Sequence, residues 1–157
     1  MKWIKLFENF TEENTLSVDD VLKRKDYANE VLEDIKSISY ILEDEGFELK
    51  YQFSTLHGDN LINYFEIEDY NRWTNNGNLE IGVGNLESIM IHSVVVKVTG
   101  NAIINPNTFQ SSLSDDKLKS IERYINLLKE HLDYINPDNI SQGRSLMGGI
   151  DIKIIVV

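Results

Sequence analysis

Apolar residues return at three- and four-residue steps after Ser17, with Val21, Leu22, Ala28, Val31, Leu32, Ile35, Ile38 and Leu42 making one stripe. That spacing predicts a long amphipathic helix. Ser17 is its N-cap, Asp19 and Asp20 stand in the first turn where the helix dipole favours carboxylates, and Gly46 is placed to end it. The run Lys23-Arg24-Lys25-Asp26 is expected mostly on the solvent side. The period then changes to two: Phe47, Leu49, Tyr51 and Phe53 fall on one face of "FELKYQFST", and Glu48, Lys50, Gln52 and Ser54 on the other, as in a half-buried strand. "LHGDN" is a turn and "LINYFEIEDY" a second strand, so a hairpin is expected over 47–70.

Asn76-Gly77 is a tight-turn signal before a short strand at Leu79–Val83. "ESIMIHSVVVKVTG" is apolar on both faces in its middle, which predicts a central strand closed by Gly100. Ser114 caps a second helix whose Leu118, Ile121, Ile125, Leu128, Leu132 and Ile135 form a narrow stripe, ended by Asn136-Pro137. "GIDIKIIVV" reads as a C-terminal strand.

The order is α-β-β-β-β-α-β. Two amphipathic helices and about five strands bury their apolar sides together when both helices lie on one face of a mainly antiparallel sheet, giving an α+β two-layer sandwich. The expected core includes Ile35, Leu42, Ile121, Ile125, Leu128, Ile152 and Ile154. The Ile89–Val98 strand, the second helix and the last strand would form a βαβ unit if those two strands ran parallel. Length sets the domain count: 157 residues suit one domain. Residues 17–157 are expected to form it, preceded by a segment, 1–16, of different character.

Charge narrows the partners. Twenty-six acidic side chains against fifteen basic ones leave a net −11, which opposes direct nucleic-acid binding and suits either solubility, the commoner meaning, or a basic protein partner. No cysteine is present, so disulfides, thiolate zinc sites and cysteine nucleophiles are excluded. No apolar run approaches the length of a membrane span, and no membrane partner is expected. No cofactor fingerprint is found: Gly143-Arg144-Ser145 and Gly148-Gly149 fit neither a P-loop nor a dinucleotide motif.

Candidate chemistry is sparse. His57 with Asp59, two apart on a turn, could begin a metal site or an acid/base pair, and Glu66 and Glu68 would share a strand face near Asp69 and Asp59. Turn hydrogen bonds and a solvated polar face are the commoner meanings of such residues. His92 is expected as a core or sheet-surface residue beside Met90, Val94, Val96 and Val98, and His131 as a structural one at a helix C-terminus. No catalytic residue is assigned.

The opening is the odd part. Met1-Lys2-Trp3-Ile4-Lys5-Leu6-Phe7-Glu8-Asn9-Phe10, of the pattern M-K-x-[LI]-K-L-F-E-x-F, resembles the start of many small accessory proteins of large tailed bacteriophages. "ISYILEDEGFEL" is similar to a second shared element, and together with the helix-then-strand finish these cover about a third of the chain. The resemblance implies a phage origin and little about activity. It also implies that Leu6-Phe7-Glu8 is an [LI]-x-E processing site, cut after Glu8 by a head-maturation protease when such proteins are packaged. Ile41-Leu42-Glu43 and Leu128-Lys129-Glu130 fit the pattern too, but within predicted helices that a protease enters poorly. The alternative is that Trp3, Ile4, Phe7 and Phe10 dock on the domain.

The expected function is therefore a non-enzymatic phage accessory protein acting by protein–protein binding, of the host-takeover or anti-defence type, in the host cytoplasm or carried in the virion. A small metal-dependent hydrolase using His57 and Asp59 is the alternative from another class, and a minor virion structural component is the third.

Overall fold

The structure, a computed structural model, describes residues 16–57, 61–75, 86–100, 103–104, 111–145 and 148–157. The segment Leu6-Phe7-Glu8, Asp59 and the strand expected at Leu79–Val83 lie outside the described residues. Among these, α1 spans Val18–Glu43, β1 Glu48–His57, β2 Leu61–Glu66, α2 Ile67–Asn75, β3 Ile91–Thr99, β4 Ile103–Ile104, β5 Ser111–Ser112, α3 Asp115–His131, β6 Ile140–Arg144 and β7 Ile150–Ile155. Short 3₁₀ turns cover Leu86–Ile89 and Pro137–Asn139.

Helix α1 forms where its caps and stripe require. The Ser17 hydroxyl accepts from the Asp20 amide at 3.2 Å while the Ser17 amide donates to the Asp20 carboxylate at 2.9 Å, a reciprocal capping box. These bonds hold the Asp20 carboxyl below the usual carboxylate range. Gly46 ends the helix in the left-handed region at φ 90°, where a β-carbon would be strained, and the Phe47 amide donates back to the Leu42 carbonyl at 3.1 Å.

Five strands form one antiparallel sheet in the order β2-β1-β3-β7-β6. Its inner face carries Phe53, Val94, Val96, Val98, Ile150, Ile152 and Ile154, which join α1 (Ala28, Val31, Leu32, Ile35, Leu42) and α3 (Ile121, Tyr124, Ile125, Leu128) in one buried cluster. The fold is thus the α+β two-layer arrangement that the patterning predicts, and all seven expected core residues are buried. At the start of β3 the register slips, Ser54 facing Ser93 and Thr55 facing Ile91. His92 is the extra residue of this bulge, and Ile91 turns into the core with Val94.

Four expectations are corrected. First, the second strand stops at Glu66 and a third helix, α2, follows: Ile67, Tyr70 and Thr74 turn inward at helical steps that the Phe65/Ile67 alternation conceals. The hairpin is therefore confined to β1 and β2. Second, α3 ends at His131, with Leu132 as C-cap, before Asn136-Pro137, and Leu118 in its first turns is exposed. Third, β7 is antiparallel to β3, so no βαβ unit joins them. The crossover through α3 instead connects β3 to β6, an unforeseen polar strand parallel to β3, with β7 inserted between. Fourth, Lys25 is buried at 7% exposure, its ammonium donating to the Asn75 side-chain carbonyl in α2 at 2.5 Å.

Candidate functional site

Helix α2 and strand β2 build the most unusual surface of the molecule. Tyr70 anchors α2: its ring stands edge-on to Phe53 and Phe65, with centroids 5.5 and 5.6 Å away, and its hydroxyl donates to the Ile89 carbonyl at 2.6 Å. Burial pushes that phenol far above its ordinary pKa. Asn29 of α1 and Asn71 of α2 exchange two amide hydrogen bonds of 3.1 and 3.0 Å, which with Lys25 and Asn75 fixes α2 against α1. The helix is too short to persist alone, so these contacts hold it.

This anchoring places Glu68 and Asp69 in the first turn of α2, next to Glu66 at the end of β2. Glu66 and Glu68 therefore do not share a strand face, because the chain changes from strand to helix between them. They meet instead around an open cleft of about 360 Å³ lined by Lys36, Tyr51, Glu66, Ile67, Glu68 and Asp69. Lys36 lies 5.5 Å from the Tyr51 ring centroid, a cation–π distance. Burial raises the Tyr51 pKa, partly opposed by a hydrogen bond with Ser39. Gln52 donates to Glu66 at 2.6 Å, and Arg72 pairs with Asp69 at 3.7 Å on the exposed side.

Beside the cleft, β2 is an edge strand. Leu61, Ile62 and Tyr64 are 65, 40 and 53% exposed, and β2 pairs only with β1 among the described residues. Edge strands are ordinarily blunted by charge, glycine, proline or shortness. The opposite edge, β6, follows that rule: Ser141, Gln142, Gly143 and Arg144 are all exposed. Strand β2, "LINYFE", carries no charge before Glu66. Among the described residues, one rim is protected and the other is not.

The outer face of the sheet brings Lys50 opposite Lys97 and places Lys153 next to Val95. Glu48, Glu66 and Asp151 fall on the same face, so the three lysines are matched by three carboxylates and no stripe for phosphates results. Lys97 lies 5.7 Å from the Tyr64 ring centroid. Ser54 and Ser93, buried on the same face, bond hydroxyl to hydroxyl.

The histidines separate. His57 ends β1, paired with Leu61. His92 sits in its bulge, lining a second cleft of about 180 Å³ with Leu16, Arg24, Leu56, Glu87, Met90 and Val157, outside the core cluster that holds Val94, Val96 and Val98. Its Nδ1 is buried without a hydrogen-bond partner, and burial, then the charges of Lys153 and Arg24, hold its pKa below the usual value. His131, at the end of α3, lies with its Nε2 3.0 Å from the Ser37 hydroxyl. Among the described residues no three His, Asp or Glu side chains are grouped to hold a metal ion, and no helix is long and apolar enough to cross a membrane.

Sequence reasoning found Glu66, Glu68 and Asp69 but missed Lys36, Tyr51 and the exposure of β2. The available signal was the run Leu61-Ile62-Asn63-Tyr64-Phe65, apolar on both faces as in a central strand, yet reached by a tight turn that makes it the second arm of a hairpin. Comparison with known protein families, with curated proteins and with solved structures finds no match to the chain.

Proposed function

We propose that this chain is an accessory protein of a large tailed bacteriophage that works by binding another protein, either engaging a host or defence complex in the host cytoplasm or travelling in the particle. The observation that carries the binding reading is the unprotected apolar edge of β2, set beside carboxylates on a chain of net charge −11. The phage assignment rests on the resemblance of residues 1–10, and the packaged version on Leu6-Phe7-Glu8 as a processing site.

The test is capture of the tagged chain from infected cells after cross-linking, with mass analysis of the N-terminus of protein recovered from purified particles. A host or phage protein recovered in stoichiometric amount supports the reading, and a particle-derived chain beginning at Asn9 supports packaging. Recovery of nothing above an untagged control refutes protein binding as the activity. Intact Met1 on particle-derived protein refutes the processing step.

A further inference from the structure

We infer that β2 receives an extended segment of a partner protein as a sixth strand, with a Lys or Arg of that segment reaching the carboxylates at the β2–α2 junction. The inference rests on the protein-binding reading above and names the kind of partner for the same surface.

A strand offers alternate main-chain N–H and C=O groups to each side, so β2, paired with β1 on one side, has a second set on the other that no strand among the described residues takes up. Adding a strand satisfies those groups and covers exposed apolar side chains in one step. The side chains of β2 set the pattern that the incoming segment must match. Ile62 and Tyr64 stand on the outer face, opposite Leu56 and Ser54, whereas Leu61 falls on the helix side opposite His57. Alternate positions of the partner are therefore apolar on the outer face. At the far end Glu66, Glu68 and Asp69 surround the cleft; among the described residues three carboxylates there meet one ammonium in the lining, Lys36, and one guanidinium, Arg72, which pairs with Asp69 on the exposed side. Charge complementarity then selects a basic residue at that end of the segment.

A second copy of the chain is the competing occupant. It is disfavoured because pairing two β2 strands would join two bodies of net −11 and bring both carboxylate groups into one interface. A helix laid on this rim would leave the free strand groups of β2 without partners, so an extended segment is the form that fits.

The full chain, immobilised, is used to select binders from a random library of linear dodecapeptides. Enriched peptides are synthesised and titrated into the protein while its amide resonances are followed. The expected sequences alternate apolar residues and carry Lys or Arg at one end, and the largest shifts fall on residues 61–66. Two kinds of variant separate the contributions. Glu66→Gln combined with Glu68→Gln should weaken binding several-fold and flatten its salt dependence. Ile62→Pro and Asn63→Pro each remove one amide, and these two amides point to opposite sides of the strand. The variant that keeps the melting temperature of the parent should lose binding by about tenfold or more.

The inference is overturned if no peptide is enriched, if enriched peptides lack the alternation or the basic end, or if the shifts map elsewhere. It is also overturned if sedimentation shows a dimer that the tolerated proline variant dissociates, since a second copy would then occupy the edge. A partner captured from infected cells that cross-links away from β2 would leave the protein-binding reading standing and remove this one. Peptides that bind β2 while infected cells yield no partner would support the site and remove the reading.

Discussion

Neighbouring leucines in α3 offer a test of the two-layer packing in which chemistry is held constant. Leu128 is fully buried in the cluster that joins α1, α3 and the sheet, whereas Leu127 is 37% exposed. Both sit inside the same helix, so Leu→Ala at either changes helix propensity equally, and in the mildly favourable direction. Only burial differs. Truncating Leu128 removes core atoms and leaves a cavity, a loss of about 2–5 kcal/mol. For a chain of this size each kcal/mol moves the melting temperature by about 2–4 °C, so a central loss of about 3 kcal/mol predicts a fall of about 6–12 °C. Leu127→Ala should stay within about 0.5 kcal/mol of the parent. Thermal and urea unfolding followed by circular dichroism measure both, and an unchanged urea slope would show that the two native states expose similar surface on unfolding. Equal losses at the two positions, or a larger loss at Leu127, would mean that α3 presents a different face to the sheet, and the layer arrangement would fall.

Three further outcomes are expected. Gly149→Ala places a β-carbon 2.4 Å from the Val98 carbonyl oxygen, whereas Gly143 on β6 has nothing within 4 Å; Gly149→Ala should cost about 1–3 kcal/mol and Gly143→Ala little, as measured by urea unfolding. His92 has a folded-state pKa depressed below the ordinary 6.5, so the unfolded chain takes up the proton first and stability falls as the pH drops below that value; His92→Gln should flatten the change in urea midpoint between about pH 7 and about pH 5.5, and an unaltered slope would refute the assignment. Duplex DNA should show no binding at physiological salt in a fluorescence anisotropy titration, because the lysines of the outer sheet face are matched by carboxylates and the chain is acidic; micromolar binding that weakens steeply with salt would refute this.

Elements that carry their own period and caps were legible in the sequence. Helix α1 has its Ser17–Asp20 box, its stripe and Gly46, and α3 has Ser114 and Ile121, Ile125 and Leu128 at regular steps. What was not legible depended on distant partners. Lys25 is buried where Asn75, far along the chain, accepts a hydrogen bond from its ammonium. Strand β6 shows only Ile140 to the core, so no alternation marks it, and without β6 the pattern offers the last strand as the sole end point for the crossover from β3. At the candidate site, Glu66 and Glu68 stood out by composition, but their relation depended on where strand became helix. That boundary is fixed by Tyr70 entering a core supplied by Phe53 and Phe65. The exposure of β2 follows from strand order, which no local pattern encodes.

The insertion of β7 between β3 and β6 also sets when the sheet can be completed during synthesis. At about 5–20 residues per second of synthesis, β1, β2 and β3 emerge seconds before residues 150–155. Until then, one long side of β3, bearing Val94, Val95 and Val96, has no neighbour. A nascent chain that pairs β1 with β3 early would expose, until β7 arrives, a rim that the finished protein covers. Long-range closure of this kind is slow, and yield in the cell should depend on how well that interval is shielded, by chaperones or by slow growth, more than on the stability of the finished sheet.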